Sequence, residues 1–168
     1  MIKGDTMTTA TSYKQTPYGK RMYNVTRPIN TDVARNYLKV IVAIASADGE
    51  LAQKELDWFL EEQQLLGTPS DLIEENVLNF DGKNADIEEL LGGMHYDFSL
   101  NFRCCMLYQA IKMSRADGVY HEKEKAAVAR AAQLLGIEQK VLVSIESLVE
   151  IEESAARLRF AIFETDVE

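Results

Sequence analysis

"ASADGELAQKELDWF", residues 45–59, returns 69 residues later as "SRADGVYHEKEKAAV", residues 114–128. Each copy closes an apolar helical run on Ala-Asp-Gly and sets a glutamate seven residues after the aspartate. At this offset, residues 41–75 and 110–144 share nine of 35 positions, chiefly in two blocks, ADG and QLLG. Two coincident leucines carry little information among helices, but two blocks at one separation mark an internal repeat. The unit reads as helix, Asp-Gly turn, helix, Leu-Leu-Gly stop, helix. Two copies packed about a pseudo-twofold axis would bring equivalent turns into related positions.

Outward from the repeat the pattern stays helical. "TDVARNYLKVIVAIASA" opens on Thr31 or Asp32 as N-cap and places Val33, Tyr37, Val40, Ile41 and Ile44 on one stripe. A second helix runs over about 51–66 and stops at Gly67. "TPSDLIEENVLNF" begins with a cap followed by Pro69 at a first helical position. "ADIEELLGG" and "SLNFRCCMLYQAIKMSRA" follow, the latter behind Ser99. Helices over about 120–135 and 138–149 come next, and a last one runs through "ESAARLRFAIF". No segment alternates with period two, so the expected fold is all-α with seven or eight helices in one domain, 31–168. Residues 1–30 lack apolar periodicity and read as a flexible basic arm.

Composition narrows the partners. The formal net charge of the 168 residues is −9. The arm holds five basic groups and one acidic group, which leaves 13 basic and 26 acidic groups on the body. A body of that sign repels phosphate backbones, so nucleic-acid binding by it is not expected, whereas cations and basic partners suit it. No apolar run reaches the 18 or so residues of a membrane-spanning helix. Cys104 and Cys105 are helical neighbours whose side chains diverge, and they read as reduced thiols of a cytoplasmic protein.

The doubled turn invites comparison with a calcium loop. With Gly49 at the sixth position, Glu55 falls at the twelfth, and Gly118 and Glu124 repeat the register. The first position, where an aspartate must bind, is Ile44 or Met113, and the third is Ser46 or Arg115. That rules out a standard EF-hand. Capping alone accounts for a lone Asp-Gly corner. Here the same Asp and Glu occur twice, so Asp48, Glu55, Asp117 and Glu124 can converge, with Glu50, Glu122 and His121 close in sequence. Clustered carboxylates need protons, cationic partners or a metal, and oxygen ligands suit calcium, magnesium or manganese. His121 adds zinc to that range. No organic cofactor is expected.

The doubled helix–"ADG"–"KE"–"LLG" unit in an acidic all-α domain resembles the TerB-like tellurite-resistance proteins, over roughly 31–163. The same fold is known in the N-terminal region of a membrane-anchored J-domain co-chaperone. The resemblance implies a compact helical domain with an acidic metal-binding face, working with a protein partner in a membrane-associated or stress-response complex. Carried over by position, the site falls on Asp48, Glu55, Asp117 and Glu124. Val119, where the first copy has Glu50, departs from the pattern and weakens the second half-site.

Other readings have fewer parts. No phosphate-binding glycine loop, nucleophile elbow or HExxH occurs. His95 and Asp97 in "LLGGMHYDF" could support acid–base chemistry, but no nucleophile or orienting partner accompanies them. Trp58 reads as core, or as a partner surface if it points outward. In the arm, Tyr18 and Tyr23 stand among Lys20, Arg21 and Arg27, a mixture that binds anionic partners or folds back on the acidic body. The leading expectation is a non-catalytic, metal-binding, stress-resistance module; the alternative is a metal-independent interaction scaffold.

Overall fold

The structure is a computed structural model and describes residues 11–92 and 99–164. Among these residues the fold is all-α with eight α-helices: α1 (Pro17–Tyr23), α2 (Thr31–Ala45), α3 (Gln53–Leu65), α4 (Ser70–Ile73), α5 (Ile87–Gly92), α6 (Leu100–Ser114), α7 (Glu122–Leu134) and α8 (Gln139–Phe163). A π-turn, Glu74–Leu78, continues α4, and a 3-10 turn, Gly82–Asn84, precedes α5. One antiparallel pair of two-residue strands, β1 (Ser12–Tyr13) with β2 (Ile29–Asn30), ties the two ends of the N-terminal segment together.

The core is built on α2. Leu38 and every residue from Val40 to Ala45 are buried, so the C-terminal half of this helix is covered on all sides, while Asp32, Arg35, Asn36 and Lys39 keep its N-terminal half amphipathic as its stripe predicts. Its cap is Asn30, one residue before the expected Thr31 or Asp32, with Asn30 Oδ1 accepting the Asp32 and Val33 N–H groups. Helix α6 packs most extensively on α2 and contributes Met106, Leu107, Ala110, Ile111 and Met113. Phe59 of α3, Val128 and Ala131 of α7, and Leu142, Ile145 and Val149 of α8 close the shell.

Helix boundaries repeat at the offset of the sequence repeat: α2 and α6 are both 15 residues long, α3 and α7 both 13. Gly49 and Gly118 take φ of 101° and 92°, and Gly67 and Gly136 take 76° and 66°, the left-handed region these corners require.

Two expectations change. The two helices read over 138–149 and through "ESAARLRFAIF" are one, α8, 25 residues long. The acidic stretch at the junction of the two is held from outside: Arg115 forks onto Glu153 at 2.9 and 2.7 Å, and Tyr108 donates to Glu152 at 2.5 Å. Residues 11–30, read as part of a flexible arm, instead carry β1, α1 and β2 packed on the body. Tyr18 and Tyr23 both donate to the buried Glu62 of α3, and Thr16 Oγ1 donates to the Leu65 carbonyl at 2.6 Å. The fold-back uses tyrosine hydroxyls rather than the basic side chains.

Gly82 shows how closely the turn before α5 approaches α2. A Cβ there would lie 2.9 Å from Ser46 Oγ, Val42 Cγ1 and the Val42 carbonyl oxygen. Gly82→Ala is expected to cost about 1–3 kcal/mol by overpacking. Gly92→Ala, with nothing within 4 Å, is the control and should leave the urea midpoint unchanged.

Candidate functional site: a carboxylate junction between two turns

Each corner is built the same way. Asp48 Oδ1 accepts the Glu50 N–H at 3.0 Å, and Asp117 Oδ1 accepts the Val119 N–H at 2.8 Å. The aspartates therefore close the turns and do not cap the following helices. That task falls to the glutamates, which fold back over the first helical turn. Glu55 Oε2 accepts the Ala52 N–H at 2.8 Å, and Glu124 Oε2 accepts the His121 N–H at 2.9 Å. Both N–H groups would otherwise lack a partner at a helix start.

This geometry buries two acids. Glu55 is 2% exposed and Glu124 is 0% exposed, where carboxylates rarely sit unpaired. The two carboxyls also lie close enough across the junction for each to act on the other. Burial pushes Glu55 up to about 8, opposed by the Ala52 N–H and reinforced by the charges of Glu124 and Asp117. Burial likewise pushes Glu124 up to about 7, opposed by the His121 N–H and reinforced by the charge of Asp48. Glu124 Oε1 is buried with no protein donor when both carboxyls are ionised. A proton held between the two carboxyls would supply the missing one.

Asp48 and Asp117 lie at the margin, near enough for their charges to act on the pair. Asp48 Oδ2 faces His121 Nε2 at 3.5 Å, a contact that links the two turns directly. Among the described residues, no group of three or more His, Cys, Asp or Glu side chains is arranged to hold a metal ion. The geometry thus brings Glu55 and Glu124 into contact, keeps Asp48 and Asp117 beside them, and directs Glu50 and Glu122 elsewhere: both are exposed, and Glu122 pairs with Lys125 at 2.9 Å.

The remaining candidates separate. His95 and Asp97 lie outside the described residues. Cys104 and Cys105 are free, half-buried thiols, and burial pushes Cys105 up to about 11, away from nucleophilic reactivity. Trp58 is half-buried, with its ring centre 6.5 Å from that of the core residue Phe59. Sequence reasoning passed over Glu62, which looks like any helical surface acid until the tyrosines of α1 are laid across it. No helix among the described residues is long and apolar enough to cross a membrane.

No curated protein matches the chain. Residues 70–147 match the family model described as Tellurite resistance protein TerB, a span that holds Asp117 and Glu124 and leaves out Asp48 and Glu55. Among solved structures, a tellurite resistance protein from Nostoc punctiforme PCC 73102 shares the fold at a TM-score of 0.71 and 24% identity, over 89% of this chain and 92% of that one. The resemblance to TerB-like proteins is thus borne out as a family match over residues 70–147, and the fold of a solved tellurite resistance protein extends along most of the chain.

Proposed function

We propose that this chain is a non-catalytic, cytoplasmic TerB-like module of tellurite or general stress resistance. Its carboxylate junction, formed by two pseudo-symmetric turns, takes up a divalent cation and couples it to a protein partner. The observation that carries this reading is the pair Glu55–Glu124, buried against each other with Glu124 Oε1 lacking a donor. Such a pair needs a positive charge, which a shared proton supplies at low pH and a cation can supply once that proton leaves. Oxygen donors such as Glu55, Glu124, Asp48 and Asp117 are the chemistry calcium, magnesium and manganese take, and the four would have to close around the ion to ligate it, since among the described residues they are not arranged as a ligand set. His121, already beside Asp48, extends the fit to zinc. The two aspartates each spend one oxygen on their own turn, so they would assist rather than anchor the ion.

The test is thermal unfolding of chelator-stripped protein at pH 8 with each of the four ions. The double variant Asp48→Asn/Asp117→Asn and the variant Glu124→Gln are run alongside. An ion at a hundred times its dissociation constant should add about 2.7 kcal/mol if it binds only the folded chain. The gain should shrink toward pH 6, where protons compete. A response to one ion, reduced by the double variant and abolished by Glu124→Gln, supports the metal reading. No response to any ion sinks it and leaves the junction as the interior of a metal-independent interaction scaffold.

A further inference from the structure

Sulfur outside the core of this chain gathers in one place. The sequence holds two cysteines, Cys104 and Cys105, both half-buried. Of the methionines among the described residues, Met106 and Met113 are 0% exposed, whereas Met22 of α1 is 43% exposed. Met22, Cys104 and Cys105 all line one cleft of about 350 Å³ between α1, α6 and α8. Every described sulfur that solvent can reach therefore borders the same space.

Three features make this a donor set. Both thiols are free, and they are near enough for a charge on Cys104 to tighten the hold of Cys105 on its proton. Successive helix positions diverge by about 100°, so neighbouring thiols face one ion only from the ridge between them, and a cleft bordered by both lies at that ridge. The carboxylate of the cleft is already engaged, since Glu152 accepts from Tyr108 at 2.5 Å and faces Lys112 at 3.8 Å. The thioether arrives from a separate element: α1 docks on α6 through Tyr23, the neighbour of Met22, whose ring meets Tyr108 edge-on at 5.8 Å.

We propose that Met22, Cys104 and Cys105 form a site for a soft monovalent metal ion of the copper(I) class. Two thiolates and a thioether are soft ligands, which select copper(I) over hard divalent cations. Binding breaks the two S–H bonds, forms three metal–sulfur bonds and passes both protons to water, with no change of oxidation state. Burial of the thiols does not oppose this, because a coordinating thiol is deprotonated outright. It keeps the metal-free thiols protonated and so slow to oxidise. The cleft shares no residue with the carboxylate junction, so the two sites stand or fall separately.

Copper(I), maintained by a reductant that is not a thiol, is titrated into the full chain against a chelator of known affinity. One ion per chain is expected, with two protons released for each ion bound. Cys104→Ser and Cys105→Ser should each weaken binding at least about 100-fold, beyond the cost of losing a residue that only orients a ligand. Met22→Leu should weaken it about tenfold, the low end of that range. Its metal-free melting temperature should match wild type, because Met22 is exposed.

The ion would also join α1 to α6. Copper(I) should therefore slow proteolysis between residues 11 and 30 in wild type and leave it unchanged in Met22→Leu. Two ions per chain, one ion held between two chains, or a cysteine variant that binds as wild type does overturns the site. Wild-type affinity and protection in Met22→Leu overturn the three-sulfur arrangement.

Discussion

Glu55→Gln should make the protein more stable at pH 8 and leave it unchanged at pH 5, the reverse of what losing a buried charged residue ordinarily does. In the folded chain burial raises both glutamates above 4.5, their ordinary value, Glu55 to about 8 and Glu124 to about 7. Between roughly pH 4.5 and 8 the folded state therefore holds a proton that the unfolded state has released. Stability then falls as pH rises through this window. The contribution is fully present below about 4.5 and lost by about 8.

A glutamine at position 55 makes the protonated arrangement permanent. Its oxygen accepts the Ala52 N–H, and its amide donates to the otherwise orphaned Oε1 of Glu124. With the pair sharing one proton, and about 1.4 kcal/mol for each tenfold change in proton affinity, the gain at pH 8 is on the order of a few kcal/mol. Urea unfolding in chelator at pH 5, 6.5 and 8 measures it. Wild type should lose stability along the series and the variant should not. Parallel slopes would mean that the two carboxyls do not share a proton, and the cation reading would lose its physical basis with them.

What could be read ahead of the structure follows from how local each signal is. Asp-Gly and Leu-Leu-Gly corners are decided by backbone conformation within a few residues, and all four glycines stand at positive φ where the repeat places them. The aspartates and glutamates of the corners were legible for the same reason. Their division of labour was not, because whether Asp48 or Glu55 satisfies a given N–H depends on a turn two or three residues long. The inequality between Glu55 and Asp48 arises only when two corners from distant parts of the chain are laid together. Long-range partners also explain the other misreadings. The division of α8 after residue 149 disappears once Lys112 and Arg115 of α6 and its following turn pair with Glu152 and Glu153 and Tyr108 donates to Glu152. The segment 11–30 has no apolar period, because hydroxyl–carboxylate bonds and a two-residue strand pair hold it rather than a buried stripe.

Glu62→Ala is expected to release that segment, at a cost of about 3–5 kcal/mol. Glu62 is 6% exposed and accepts hydrogen bonds from Tyr18 Oη at 2.8 Å and from Tyr23 Oη. Hydrogen bonds to a charged acceptor contribute about 1.5–3 kcal/mol each, and their loss strands two partly buried hydroxyls. The remaining ties of α1 are weaker: Thr16 to the Leu65 carbonyl, Gly19 seated beside Leu66, and the edge-on contact of Tyr23 with Tyr108, ring centres 5.8 Å apart. Tyr23 also lines a small apolar cavity with Tyr13, Ile29, Tyr37 and Phe102, so its departure opens that cavity to water. Release should therefore appear as rapid proteolysis between residues 11 and 30 while α2 to α8 remain folded. Tyr18→Phe and Tyr23→Phe separate the two bonds. Each should cost less than Glu62→Ala, since the carboxylate keeps one donor. If Glu62→Ala melts at the wild-type temperature and resists protease equally, then β1–β2 pairing and the Thr16 contact hold the segment, and the tyrosine–carboxylate bonds contribute little.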